Sequence, residues 1–247
     1  MREWQGRTYW LVGASEGIGR ELAMLISRAG AEVILSARNA DRLDELAATL
    51  PGRSRVLPLD VRDSAAVQAA AAAAGDVDGV IYMAGVMSLM RAAGGSAGWN
   101  AQTAELMADT NFTGAVRVVS AVIPQMCARG AGHLLLVASL AGYRGLPGMA
   151  VYGASKGAVM QMAEGLRAEL QDTGIAVQVV NPGFVDTQMT RETGLAMPLR
   201  LSAEQAAREI FEHMNDTSFR KGFPLAMSWT VRLARFLPDW LWMRFIR

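Results

Sequence analysis

Six short apolar runs punctuate the first 183 residues, at 8–14, 31–37, 54–60, 77–85, 132–139 and 175–183. They are apolar on both faces, which is what a parallel strand needs when helices cover the sheet on either side. Between them lie alanine-rich stretches with helical patterning, at 17–29, 41–50, 64–74, 101–129 and 151–173. This alternation restricts the chain to the α/β class, with one doubly wound parallel sheet and right-handed crossovers. A length of 247 residues suits a single domain of that kind. The pattern assigns 1–218 to that domain and leaves 219–247 as an apolar, basic, helical extension, divided in two by Pro238. The glycine-rich stretch 91–98 reads as a loop within the domain.

Composition removes several classes. With 51% hydrophobic and 19% charged residues the chain is globular. A net charge of +1 gives no overall case for nucleic-acid binding. Cys127 stands alone, so no internal disulfide is expected and a reducing, cytoplasmic setting is the default. No signal-peptide pattern and no uncharged apolar run of about 18 residues is present, so neither secretion nor a membrane span is expected. His133 and His213 lack partners at metal spacing, so no metal is expected.

The turn after the first strand reads "VGASEGIG" (12–19) and opens the first helix. Gly13, Gly17 and Gly19 let the chain turn tightly and bring backbone N–H groups close to a pyrophosphate, where a helix N-terminus adds partial positive charge. Gly13, Ser15, Glu16, Gly17, Ile18 and Gly19 are therefore expected to bind a dinucleotide. The second strand ends "LSARN", with no acid to hold a ribose hydroxyl. Arg38 can pair with a 2′-phosphate instead, which favours NADP over NAD, although Glu16 works slightly against extra negative charge.

"VYGASKGAV" (151–159) places Tyr152 and Lys156 four apart, on one helix face. Of 24 basic residues only Lys156 and Lys221 are lysines. A phenol can give a proton to a carbonyl oxygen as charge develops there, and a nearby ammonium should lower its pKa by about 1–3 units. A compact ammonium has three donors for ribose hydroxyls and the phenol, whereas a guanidinium is larger and never gives up its proton. Ser139, at the end of the fifth strand, would hold the substrate oxygen.

Taken in order, the Gly13/Gly17/Gly19 loop, Asp60, Ala84-Gly85, Asn111, Ser139, Tyr152/Lys156 and "NPGFVDT" (181–187) resemble the compact, single-domain short-chain dehydrogenase/reductases. The likeness covers roughly residues 6–190 and implies a Rossmann-type sheet and an NAD(P)-dependent oxidoreductase with Tyr152 as general acid/base. It implies that the Asn111 carbonyl holds a water in a proton relay to Lys156. It places Asp60 and Val61 near the adenine, and gives Ala84, Gly85, Pro182, Gly183, Val185 and Thr187 to the cofactor. Two departures stand out. Val12 replaces the family's usual threonine, and Tyr82 and Met83 replace two asparagines. Losing both partners of a buried polar pair to apolar groups can be nearly neutral, so these read as one compensated change.

The loops after the fourth, fifth and sixth strands carry Met87, Leu89, Met90, Leu146, Met149, Met189, Leu195, Met197 and Leu199. Methionines fit irregular apolar shapes, so a hydrophobic small-molecule substrate is expected beside ordinary packing of these side chains. In the tail six basic residues face one acid, a charge of +5, and three of the six tryptophans lie there. Such a segment suits peripheral contact with an anionic membrane, a cover over an apolar pocket, or contact with another subunit of a homo-oligomer. The alternative to an enzyme is a cofactor-bound scaffold or redox sensor of the same fold, against which the intact Ser139, Tyr152 and Lys156 argue. Nucleotide-sugar epimerases and dehydratases share the fold but are longer, with a substrate domain that has no counterpart here.

Overall fold

The computed structural model describes residues 2–94, 98–191, 193–194 and 197–246; Leu195, Arg247 and the middle of the 91–98 loop lie outside them. The strands are β1 (Thr8–Val12), β2 (Glu32–Ser36), β3 (Ser54–Val56), β4 (Gly79–Tyr82), β5 (Gly132–Val137), β6 (Ile175–Pro182), β7 (Val185–Asp186), β8 (Leu201–Ser202) and β9 (Arg220–Phe223). Seven form one parallel sheet in the order β3-β2-β1-β4-β5-β6-β9, and β7 pairs with β8 apart from it. The doubly wound α/β fold is therefore present, with its order reversing between β1 and β4, where such sheets open a crevice.

Strand alternation divides the core in two. On β1, Tyr9 and Leu11 enter one apolar cluster and Trp10 and Val12 enter the other. Helices α1 (Gly17–Arg28), α2 (Ala40–Thr49) and α8 (Ala203–Met214) cover the first face, and α3 (Ser64–Ala74), α5 (Gly114–Arg129) and α6 (Ala150–Leu170) cover the second. The stretch expected as one helix over 101–129 is α4 (Ala101–Ala108), a π-helical turn at Asp109–Thr113, and α5. The π turn widens the helix at Asn111, a deformation associated with functional positions.

Residues 219–247, expected to be helical, begin with β9. The outer edge of β6 needs pairing, and Arg220–Phe223 supplies it. Beyond it lie α9 (Leu225–Ala234) and α10 (Asp239–Phe245), separated at Pro238, whose missing N–H suits a helix start. The short α7 (Gln188–Arg191) sits in the loop that β7 and β8 close at its base.

Both histidines are held inside the fold. Gln178 donates its amide to the carbonyls of His213, Asp216 and Ser218, so its oxygen accepts from His133 Nε2 at 2.8 Å. That tautomer leaves Nδ1 to accept from the Tyr9 hydroxyl at 3.2 Å, and burial pushes the His133 pKa down to about 3. His213 reaches Ser218 through Nδ1 at 3.2 Å.

Candidate active site

The carboxyl ends of β1, β2, β4, β5 and β6 open onto one cleft of about 820 Å³. At its floor Gly13 has φ +103°, and a Cβ there would come within 2.5 Å of the Ala84 nitrogen. A Cβ on Gly19 would overlap the Gly13 carbonyl. Glycine at these two positions lets β1, the turn and α1 pack without side chains between them. No side chain caps α1: Glu16 occupies its N-cap position but makes no capping hydrogen bond. The first N–H groups of the helix thus face the cleft without an internal partner. Thr187 stands across from Gly17, with its Cγ2 3.1 Å from where a Cβ would be.

At the other end stand the residues of β5 and α6. Ser139 caps a short 3-10 turn, accepting from Ala141 N at 3.2 Å. Its hydroxyl donates to the Pro182 carbonyl at 3.4 Å, and it is close enough to the Tyr152 phenol to influence its pKa. Tyr152 keeps part of its surface toward the cleft, while its hydroxyl end is enclosed by protein. Lys156 is 4% exposed and donates to the Val137 carbonyl at 2.9 Å. The expected lowering of the phenol pKa by Lys156 is not what dominates at Tyr152 in this fold. Burial raises the Tyr152 pKa, Ser139 offsets part of that rise, and Lys156 is not among the causes. Burial brings Lys156 down to about 8. The pair is therefore poised as a protonated phenol beside an ammonium close to its titration range.

Asn111 lies fully buried behind the cleft wall. Its amide accepts from Val86 N at 2.8 Å and donates to Val86 O at 2.9 Å and to Ser155 Oγ at 3.0 Å. This ties the π turn to the chain after Gly85 and to α6. A Cβ on Gly85 would sit 3.3 Å from the Asn111 oxygen and 3.4 Å from the Lys156 nitrogen, so Asn111 and Lys156 converge there.

Gly13, Ser15, Glu16, Ile18, Gly19, Arg38, Val61, Ala84, Gly85, Ser139, Tyr152, Lys156, Pro182, Gly183, Val185 and Thr187 all line the cleft. Gly17 begins α1 at its floor. Asp60 is turned aside: it pairs with Arg62, its oxygens 2.6–3.1 Å from the guanidinium, and that hydrogen bond lowers its pKa. Sequence reasoning missed Arg42 and Arg62, which line the cleft near Arg38. Arg42 pairs with Glu16 at 2.6 Å, across the chain from the phosphate turn. Only the spacing of Arg38 and Arg42 on either side of the α2 start could have marked it. Of the residues expected in the substrate loops, Met189 lines the cleft, whereas Met90 and Met149 are buried in packing.

The two departures meet in space. Val12 and Tyr82 are register partners on β1 and β4. Val12 is buried, and the Tyr82 hydroxyl donates to the Thr110 carbonyl at 2.5 Å, one residue before Asn111. A Cβ on Gly114 would lie 2.5 Å from that hydroxyl, so the glycine makes room for the ring. The tyrosine braces the π turn from the sheet.

The family described as short chain dehydrogenase matches residues 7–197. An oxidoreductase of Myxococcus xanthus is 35% identical over 97% of this chain and 96% of its own length. A short-chain dehydrogenase of Sphingobium yanoikuyae, solved with NADPH, is 27% identical with a TM-score of 0.82, covering 94% of this chain and 97% of that one. A short chain dehydrogenase/reductase of Burkholderia phymatum, solved with NAD, is 26% identical with a TM-score of 0.84, covering 94% of each. The chain belongs to the short-chain dehydrogenase family of oxidoreductases.

Proposed function

We propose that this chain is an NADP(H)-dependent reductase of carbonyl groups on apolar molecules, with Tyr152 as proton donor. The observation that carries the reading is one cleft holding an uncapped helix start at one end and, at the other, Ser139, the enclosed Tyr152 phenol and Lys156 together in its lining. A bound nicotinamide dinucleotide supplies the two-electron reduction. The α1 N–H groups and the Gly13 turn hold its pyrophosphate. Lys156 uses one of its three donors on Val137 O, which leaves two for ribose hydroxyls. Ser139 orients the substrate oxygen, and the Tyr152 hydroxyl gives that oxygen a proton as negative charge develops. A phenol raised by burial holds its proton at neutral pH, the form that can donate to a carbonyl oxygen. For the 2′-phosphate the available cation is Arg38, since Arg42 and Arg62 are engaged by Glu16 and Asp60. Met189 and Val86 on the cleft wall favour an apolar substrate.

Tyr152→Phe tests the reading. Turnover of a carbonyl substrate should fall about 10²–10⁴-fold while NADPH affinity holds. Unchanged turnover would sink the assignment. A wild-type chain that binds NADPH and reduces no member of a broad ketone and aldehyde panel would favour the scaffold or sensor reading.

A further inference from the structure

Nine large hydrophobic side chains are exposed among the described residues, and seven of them lie between Leu225 and Phe245. The inner side of α9 is conventional: Ser228 and Ala234 are buried, and Met227 and Val231 pack on the core. Met227 lies against Gly183, whose Cβ position is 2.8 Å from its sulfur, so α9 backs the cleft wall. The outer side is not conventional. Trp229 is 53% exposed, Phe236 82%, Trp240 71% and Phe245 71%. Apolar exposure this concentrated marks a surface that meets something else.

The charges say what. Arg232, Arg235 and Arg244 are exposed among these residues, and none has an ion pair among the described residues. The single acid from 225 to 246 is Asp239, which Arg144 meets at 2.8 Å. The face is therefore apolar and cationic, with three arginines against one exposed carboxylate that already has a cation of its own. A second copy meeting it by two-fold symmetry would set three arginines against three, with only the Arg144-paired Asp239 of each copy to answer them. We propose that the outer faces of α9 and α10 rest on an anionic lipid surface, with the exposed aromatics at headgroup depth and the three arginines on lipid phosphates. Among the described residues no helix is long and apolar enough to cross a membrane, and the contact proposed is an interfacial one. Arg232 already lies over the Trp229 ring, 5.1 Å from its centre, an arrangement that keeps both groups at one depth. The loop after Ser139 is tied to that surface, because Arg144 bonds the carbonyls of Ala234 and Leu237, and Trp242 donates to the Gly145 carbonyl at 3.1 Å.

The proposal does not depend on the reaction catalysed, and its test is physical. The full chain is sedimented with vesicles of phosphatidylcholine alone and of phosphatidylcholine mixed with phosphatidylglycerol. Binding is expected to the mixed vesicles and to weaken with salt. Arg232→Gln, Arg235→Gln and Arg244→Gln should each weaken it on the order of fivefold. A variant carrying Phe236→Asp and Trp240→Asp should lose it while keeping the wild-type melting temperature and NADPH affinity. Absence of wild-type binding to the mixed vesicles overturns the proposal, as does equal binding to both kinds with the arginine variants unaffected. A lipid-free dimer that becomes monomeric in the double aspartate variant would put a second copy on this face, and overturns it too.

Discussion

The first βα turn and the last two helices make surfaces by opposite means. Around Gly13 and Gly19 the chain removes side chains until backbone meets backbone, and the helix start is left uncapped. In α9 and α10 it adds large side chains outside and packs only one side. The turn is over-determined: each glycine is fixed by a neighbour that a Cβ would strike. The helices are under-determined, because their outer residues touch little of the protein. A small rigid ligand is met by backbone at close range, whereas an extended, deformable partner is met by protruding side chains. Substitutions should therefore act sharply in the cleft and weakly on chemistry in the tail.

Lys156→Arg gives the largest expected effect. The ammonium is buried beside Val137 O and close to Gly85, and a wider planar guanidinium would not reproduce its contacts there. Turnover should fall a hundredfold or more despite the retained charge, on the scale of a lost acid–base group. Near wild-type rates would mean the cleft tolerates reshaping and the contrast fails. The apo protein offers a second readout. The Lys156 pKa is about 8 in the fold against an ordinary 10.5, so above pH 8 the unfolded chain holds more protons and stability rises with pH. Tyr152, raised above its ordinary 10.0, has the opposite effect above pH 10. Between about pH 8 and 10 the urea midpoint should climb in wild type, and Lys156→Met should flatten that climb.

The strands β1, β2, β4, β5 and β6, unlike β3 with its short, part-exposed SRV, are legible because each is a largely apolar run buried on both faces, a pattern that little besides a parallel strand satisfies. β9 is not: "RKGF" has two cations and a glycine, and its strand character comes from the free edge of β6 and from Arg220 and Lys221 meeting Glu164 and Glu209. The π turn is equally silent, because Tyr82 on β4 and Ser155 on α6 hold it from outside its own sequence. The cleft residues were legible where they sit in glycine turns or at strand ends. Arg42 and Arg62 were not, because their roles depend on which carboxylate each finds. The pKa of Tyr152 could not be read from a spacing of four residues, since it is set by how deeply the phenol is enclosed.

Arg38→Asp should have an intermediate effect. A carboxylate repels a 2′-phosphate and accepts from a free ribose hydroxyl, so the ratio of NADP to NAD affinity should fall about tenfold or more. Arg42 cannot take over while Glu16 holds it at 2.6 Å. Adding Glu16→Gln to the Arg38→Asp chain should therefore recover part of the lost NADP affinity by freeing Arg42. Titration of both cofactors into the three proteins checks this. An unchanged ratio in the single variant would make Arg38 a bystander.

Arg144→Ala should affect the chemistry least and sharpens the comparison most. Its guanidinium caps the carbonyl end of α9 through Ala234 and Leu237, reaches Asp239 at 2.8 Å, and lies 5.1 Å from the centre of the Trp242 ring. Cations at a helix C-terminus satisfy carbonyls that would otherwise lack partners. The Asp239 contact adds little, since that carboxylate is 93% exposed. The carbonyl bonds matter more, because Arg144 is largely buried, and their loss should cost about 1–3 kcal/mol. The cost should fall locally, with hydrogen exchange rising across 225–246 and staying near wild type in β1, β4, β5 and β6. Turnover of a small carbonyl should stay within about twofold, because the Ser139 side chain is held by Ala141 N and the Pro182 carbonyl, whereas the Arg144 hydrogen bonds run to Ala234, Leu237 and Asp239. A tenfold loss of turnover would show that α9 and α10 hold the loop after Ser139 in its working shape. The tail would then belong to the catalytic cleft and not only to the surface beside it.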